Sequence, residues 1–294
     1  MTKSVTNFAS EHGRSAQALT MSKEGLDYEH WLTVRDVPSL GRKTRAAGHT
    51  VDREHHLLSD LETNFFLIAD FAPNVIDIRT QFPLLPIEQT IQIAQDMGIR
   101  HPADRKTAKW TVMTTDFLLT HQDRKGYHHY HAYSIKPSSR LTEENRRRRT
   151  RTLEKLEIER RLWLSLNVPW TLVTEEAFDP IMITNLKWLS YGARDLTPEL
   201  LFQLPRFLNC LAGLNHLELS LTQLLATSAN QLHLDDQGCA QQLFCHSAWS
   251  HLLLVNLHQP ISLSLPSSFR FSPLAQQIIT NGYSPRNQPE YRRE

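Results

Sequence analysis

The sequence predicts an α/β layer domain with a mixed sheet, followed by a mainly helical module. Three observations lead there. A β-hairpin signal runs from Thr114 to Lys136, it sits in the order helix, strand, hairpin, helix, strand, and the composition changes near Glu175 to Leu-, Gln- and Asn-rich helical stretches.

The hairpin is the centre of the reading. Both arms are rich in β-branched and aromatic residues, and the tip from Gln122 to Gly126 carries charges and a glycine that tolerates positive φ. Asp116 stands nine positions before Lys125 and Ser134 nine after it. A turn centred there lays Asp116 across from Ser134–Lys136, and strand alternation puts Ser134 and Lys136 on one face. A carboxylate, a hydroxyl and an ammonium then meet at one end of the hairpin.

The other elements follow in order. Residues 1–26 read as a flexible polar arm, and the chain tightens from Tyr28 through Trp31–Val34 to a basic, glycine-containing loop ending at His49. A helix is expected over Arg53–Asp70, with Leu58, Leu61, Phe65 and Ile68 on one stripe bordered by Glu62. Strand residues Val75–Ile78 and Gln81–Pro86 come next, then a short helix, Ile87–Met97, stopped at Gly98. After the hairpin a long helix from about Thr142 to Leu166 turns Leu153, Leu156, Arg160 and Trp163 toward a sheet, and a strand follows at Pro169–Val173. These elements make a domain of residues 27–175. Helices at Pro180–Tyr191, Pro198–Leu208, Leu211–Thr227 and Cys239–His251, then the segments Leu252–Leu257, Ile261–Leu265 and Phe269–Phe271, read as two short strands, make a winged-helix-like module of residues 176–278, with a tail at 279–294.

Lysine plus arginine (32) nearly balance aspartate plus glutamate (31), so net charge does not single out a nucleic-acid binder and only clustering carries information. Three cysteines, all late in the chain, give no disulfide framework and suit a reducing compartment. No apolar run approaches the roughly 20 residues of a membrane span, and the first twenty residues lack the apolar core of a signal peptide. A soluble, cytoplasmic protein with no membrane partner is expected.

Glu62 on the preceding helix adds a second carboxylate to Asp116. Two carboxylates and the backbone carbonyl of Ile135 suit one or two Mg²⁺ ions, which prefer oxygen ligands, and Lys136 would orient or deprotonate a water and neutralise charge on a reacting phosphodiester. Ser59 and Glu62 stand at capping-box spacing, which explains Glu62 without chemistry, although a helix beginning before Ser59 leaves Glu62 on the inward side. Arg146, Arg147, Arg148, Arg149 and Arg151 form a block that is either a solvated helix face or a phosphate-tracking surface, to which Arg42 would add. His128, His129 and His131, and His233, Cys239, Cys245 and His246, lack paired zinc spacing. Asp60, Asp77 and Glu157 are candidate outer carboxylates.

The segments Trp31–Val34, Gly41-Arg42, His55–Glu62, Asp77–Leu84, Thr114–Phe117, Lys136-Pro137 and Arg151–Trp163 resemble TnsA, the endonuclease subunit of the Tn-seven-like transposases. The likeness runs in order from about Asp27 to Trp170. It implies a restriction-endonuclease-like PD-(D/E)xK domain followed by a winged-helix domain, and Mg²⁺-dependent nicking at the 5′ ends of a transposon, with Mn²⁺ as a substitute. Implied partners are transposon-end and flanking DNA, a DDE-type recombinase (TnsB-like) and an AAA+ ATPase regulator (TnsC-like). By the same resemblance Glu62 and Asp116 correspond to metal-binding carboxylates and Lys136 to the motif lysine. One departure stands out: the residue two before the lysine is usually Gln in such proteins and is Ser134 here, so it would reach a metal through water. A catalytically weakened assembly subunit, bridging recombinase and regulator on DNA, is the alternative expectation.

Overall fold

The hairpin forms where the turn chemistry placed it. In the computed structural model, which describes residues 25–36, 42–104, 106–266 and 268–281, strands β4 (Thr114–Gln122) and β5 (His128–Ile135) pair antiparallel. Gly126 takes φ +86° at the tip, and the Asp123 carboxylate accepts the Lys125 and Tyr127 amides. The register pairs Phe117 with Tyr133, so its continuation sets Asp116 opposite Ser134. On the outer side of β4 lies β3 (Val75–Pro83), antiparallel, and β6 (Trp170–Val173) runs parallel to β5, which completes a mixed four-stranded sheet in the order β3-β4-β5-β6. A separate two-stranded ribbon joins β1 (Thr44–Ala47) and β2 (Glu54–Leu57).

Helices cover the two faces of the sheet. Helix α1 (Asp60–Phe71) packs Phe65 and Phe66 onto Ile78, Phe117 and Ile135, and α4 (Arg146–Ser165) packs Leu162 and Trp163 onto Phe82, Leu118 and Ala132. Between them in sequence lie α2 (Ile87–Asp96) and the single turn α3 (Ser138–Leu141). Each buried large apolar side chain of these clusters contributes about 1.5–3 kcal/mol.

Several boundaries differ from the expectations above. The segment expected to open the first helix is instead β2, and α1 starts at Asp60 because the Ser59 hydroxyl caps the Glu62 amide. The buried stripe is consequently Glu62, Phe65, Phe66 and Ala69, with Leu61 and Ile68 only half-buried. The residues Val75–Pro83 form one continuous strand. The long helix starts at Arg146, since the Asn145 side chain caps the Arg148 amide; Glu143 and Glu144 precede it, and Leu153 is exposed while Ile158 and Glu159 are buried. The arm expected at residues 1–26 lies outside the described residues up to 24; from Gly25 the chain is fixed to the sheet by Tyr28, whose hydroxyl donates to the Thr80 carbonyl, and by Arg53, which bonds the Gly25 carbonyl.

The chain divides into two units between Phe178 and Asp179. In the second, α5 (Pro180–Gly192), α6 (Pro198–Phe202), α7 (Leu204–Leu214), α8 (Leu221–Leu232), α9 (Gln237–Trp249) and α10 (Pro273–Asn281) surround a core of Phe207, Leu211, Leu225, Leu243 and Phe244. Its ribbon is β7 (Leu253–Val255) with β8 (Phe269–Phe271). Ile261–Leu265 is no strand, because its carbonyls instead receive the amides at the start of α8, and α10 occupies part of the stretch expected as tail. Among the described residues no helix is long and apolar enough to cross a membrane.

Candidate active site

The ends of β4 and β5 place the first groups. Asp116 turns its Oδ2 toward the neighbouring strand, where it accepts the Ile135 amide at 2.7 Å and the Lys136 ammonium at 2.6 Å. Lys136 Nζ also donates to the Ile135 carbonyl at 3.0 Å. Burial alone would lower the Lys136 pKa, but the adjacent Asp116 carboxylate, with Glu159 and Glu62 behind it, holds it above its ordinary value. Lys136 is therefore an ammonium.

Glu62 reaches the same place from the first turn of α1. Its carboxylate accepts the Leu58 amide (2.9 Å), the Ser59 hydroxyl (3.0 Å) and the Gln81 side-chain amide (3.2 Å). Even so, burial and then the Asp116 charge push its pKa up to about 7. Glu62 thus stands in the first turn of α1, its amide capped by the Ser59 hydroxyl and its carboxylate within electrostatic reach of Asp116.

Three further features escaped the sequence reading. Glu159, on α4, is buried and collects the Ser134 and Thr115 hydroxyls and, at 3.1 Å, the Trp170 indole on its Oε1. Burial, then Asp116, raise its pKa to about 7. The expected outer carboxylate on this helix, Glu157, instead pairs with Arg160 and Arg161 at its surface. Only helix phase separates the two: 159 shares a face with Trp163 and Leu156, while 157 does not. Gln81 is the second. It adopts φ +54° inside β3, opposite Asp116 by continuation of the register, with its amide on Glu62 and its carbonyl accepting Thr114. The third is Trp163, whose indole donates to Thr115 and fixes the hydroxyl that serves Glu159.

The remaining candidates scatter. Ser134 is buried and its hydroxyl donates to Glu159. Asp77 is consumed by Arg53 (3.0 Å) and Arg79 (3.4 Å), and Asp60 pairs at the surface with Arg42 (3.0 Å). Arg148 pairs with Glu143 and Arg151 with Glu154, whereas Arg146, Arg147 and Arg149 have no ion-pair partner among the described residues. His131 stacks on Tyr133 and bonds Thr171, and no group of three His, Cys, Asp or Glu among the described residues is arranged to hold a metal. In the second unit Cys245 is buried against Gly192, which pushes its thiol up to about 12.

The mixed α/β sheet thus gathers buried carboxylates and an ammonium at the end of its central hairpin. Residues 72–175 match the family described as "TnsA-like endonuclease N terminal", a span that contains Asp116, Ser134, Lys136 and Glu159 and begins after Glu62. The chain is also 45% identical over 181 residues to the transposon Tn7 transposition protein TnsA of Escherichia coli, covering 61% of this chain and 62% of that protein. It spans about three fifths of the length of that relative. Over these residues the chain is similar to the TnsA-like endonuclease domain.

Proposed function

We propose that the chain is the DNA endonuclease subunit of a heteromeric cut-and-paste transposase and that it nicks the 5′ ends of a transposon with Mg²⁺, for which Mn²⁺ substitutes. The observation that carries this reading is the Asp116–Lys136 pair with Glu62 raised to about 7 beside it. The hydrogen bonds to Asp116 all fall on Oδ2, the Ile135 carbonyl keeps a lone pair beyond the Lys136 contact, and the charge of Glu62 is poorly compensated. Oxygen donors with surplus negative charge fit a hard divalent cation. Such a cation, held by Glu62, Asp116 and the Ile135 carbonyl, supplies polarisation of the phosphodiester and acidification of a bound water.

The chain's own groups do the rest. Lys136, an ammonium, donates toward the phosphate and stabilises charge as it develops. Asp116 fixes Lys136, and Gln81 with Ser59 aims Glu62. Glu159 holds Ser134 so that the strand end keeps its course. We read the domain as PD-(D/E)xK-like and the C-terminal unit as winged-helix-like. Arg42 and Arg146–Arg151 are assigned to DNA phosphates, and the partners to a TnsB-like DDE recombinase and a TnsC-like AAA+ ATPase, in the cytoplasm. The weakened assembly-subunit alternative is not favoured, because Ser134 is tied to a carboxylate of the same site rather than leaving it unsupported.

The test uses an end-containing duplex, the partner recombinase and Mg²⁺ or Mn²⁺. Wild type releases 5′ ends. Asp116→Ala abolishes that release while complexes still assemble, and identical strand products from the two would overturn the assignment.

A further inference from the structure

Upstream of β4 the chain makes a small finger. Ala103 and Trp110 form an isolated antiparallel bridge, Asp104 and Lys109 are joined backbone to backbone, and the Asp104 carboxylate ties the turn by accepting the Lys106 and Thr107 amides. The base of the finger is rigid: His101 is buried, with Nε2 on the Thr90 hydroxyl at 2.9 Å and Nδ1 on the Pro102 carbonyl at 2.9 Å. Trp110 stands edge-on to that ring at 5.6 Å between centroids, yet 46% of it is exposed. Arg100 and Lys106 are exposed beside it.

The finger is tied to the basic end of α4, for Arg151 donates to the Arg100 carbonyl. That helix end is unfavourable in isolation. Arg146, Arg147, Arg148 and Arg149 occupy its first turn with no acidic residue there. Cations at a helix N-terminus oppose the macrodipole, and like charges one turn apart repel. Of the nearby acids, Asp104 is engaged by turn amides, Glu154 by Arg151 and Glu143 by Arg140 and Arg148, which leaves exposed Glu144 against Arg100, Lys106, Arg146, Arg147 and Arg149. What is left is a surface of surplus positive charge around one pinned, exposed aromatic ring.

We propose that the finger, through Arg100, Lys106 and Trp110, and the first turn of α4, through Arg146, Arg147 and Arg149, form one duplex-DNA-gripping surface. This rests on the nuclease reading and adds a location to it. Arg148 precedes Glu159 by 11 residues, which at about 1.5 Å per residue is about 16 Å along the helix, or about five base pairs at 3.4 Å. The arginines and lysine neutralise phosphates, and Trp110 adds an apolar contact to the sugar edge that salt does not screen.

The experiment titrates the full-length chain, with Asp116→Ala to prevent cleavage, onto a fluorescein-labelled duplex by anisotropy over a series of salt concentrations. Lys106→Ala and Arg147→Ala each flatten the plot of log affinity against log salt by about 0.9. Trp110→Ala weakens binding several-fold at every salt with the slope unchanged, and Trp110→Phe restores most of it. A parent chain without salt-dependent binding, an unchanged slope in both charge variants, or parental affinity in Trp110→Ala overturns the proposal. The nuclease reading fails separately: finger-dependent slopes in a protein that never cleaves refute that reading alone, and continued cleavage with unaltered slopes refutes the finger alone.

Discussion

Replacing Glu159 by Gln should stabilise the cation-free protein at pH 8 and leave it nearly unchanged near pH 4.5. Glu159 has a pKa of about 7 in the folded chain against an ordinary 4.5. Its folded state therefore keeps a proton that the unfolded chain has already released. For a raised carboxyl pKa, stability is highest below the unfolded value, falls as pH rises from there to the folded value, and is flat above it. A displacement of this size corresponds to about 3 kcal/mol at about 1.4 kcal/mol per pH unit. Glu62, also at about 7, loses stability over the same window. The Gln side chain still accepts the Ser134, Thr115 and Trp170 donors through its carbonyl oxygen and carries no charge to desolvate. Urea unfolding with a chelator present, followed by fluorescence and repeated from pH 4.5 to 8, reads the effect. Wild type sums this loss with the opposite contribution of buried histidines, such as His55 with a pKa lowered to about 2, so the effect is read as a difference: Glu159→Gln matches wild type near pH 4.5 and exceeds it at pH 8 by about 3 kcal/mol. A variant no more stable than wild type at pH 8 would show that Glu159 is ionised at no cost and that the burial argument is wrong.

Other consequences are as direct. At Gln81, whose φ is +54°, Gly should be better tolerated than Ala by about 1–2 kcal/mol in urea melts, the reverse of the order in an ordinary strand interior. Equal stabilities would mean that the backbone relaxes. Ser134→Ala removes a hydrogen bond to a buried carboxylate, costs about 1–3 kcal/mol at pH 8 and moves the stability decline to higher pH. A decline at the wild-type midpoint counts against the Ser134–Glu159 contact. Gly192→Ala drives a Cβ into the Cys245 sulfur, and should destabilise the second unit by about 1–3 kcal/mol, measured as loss of its unfolding transition at lower urea.

The hairpin was readable because its signals are local: residue types that favour extended backbone, a glycine where φ must be positive, and a count of residues between Asp116 and Ser134. Glu62 was readable only as an ambiguity, since a cap and a ligand ask for the same residue at the same place. Glu159 was not readable. Its neighbour Glu157 has the same chemistry two positions away, and the choice between them depends on which face of α4 meets the sheet. That face was misassigned because Leu153 looked like core. In the second unit Leu252–Leu257 and Phe269–Phe271 supply the ribbon, whereas Ile261–Leu265 has strand residues but spends its carbonyls on the start of α8.

The amino-acid order alone determined the hairpin register, the pairing of Asp116 with Lys136, and the mixed α/β plan, because each depends on spacing within a few dozen residues. The tertiary structure decided which carboxylates are buried together and hence which carry raised pKa values. It also decided that Gln81 must be left-handed and that the basic helix end meets the Trp110 finger. These depend on desolvation and on contacts between distant segments, and neither quantity exists until the chain has closed on itself.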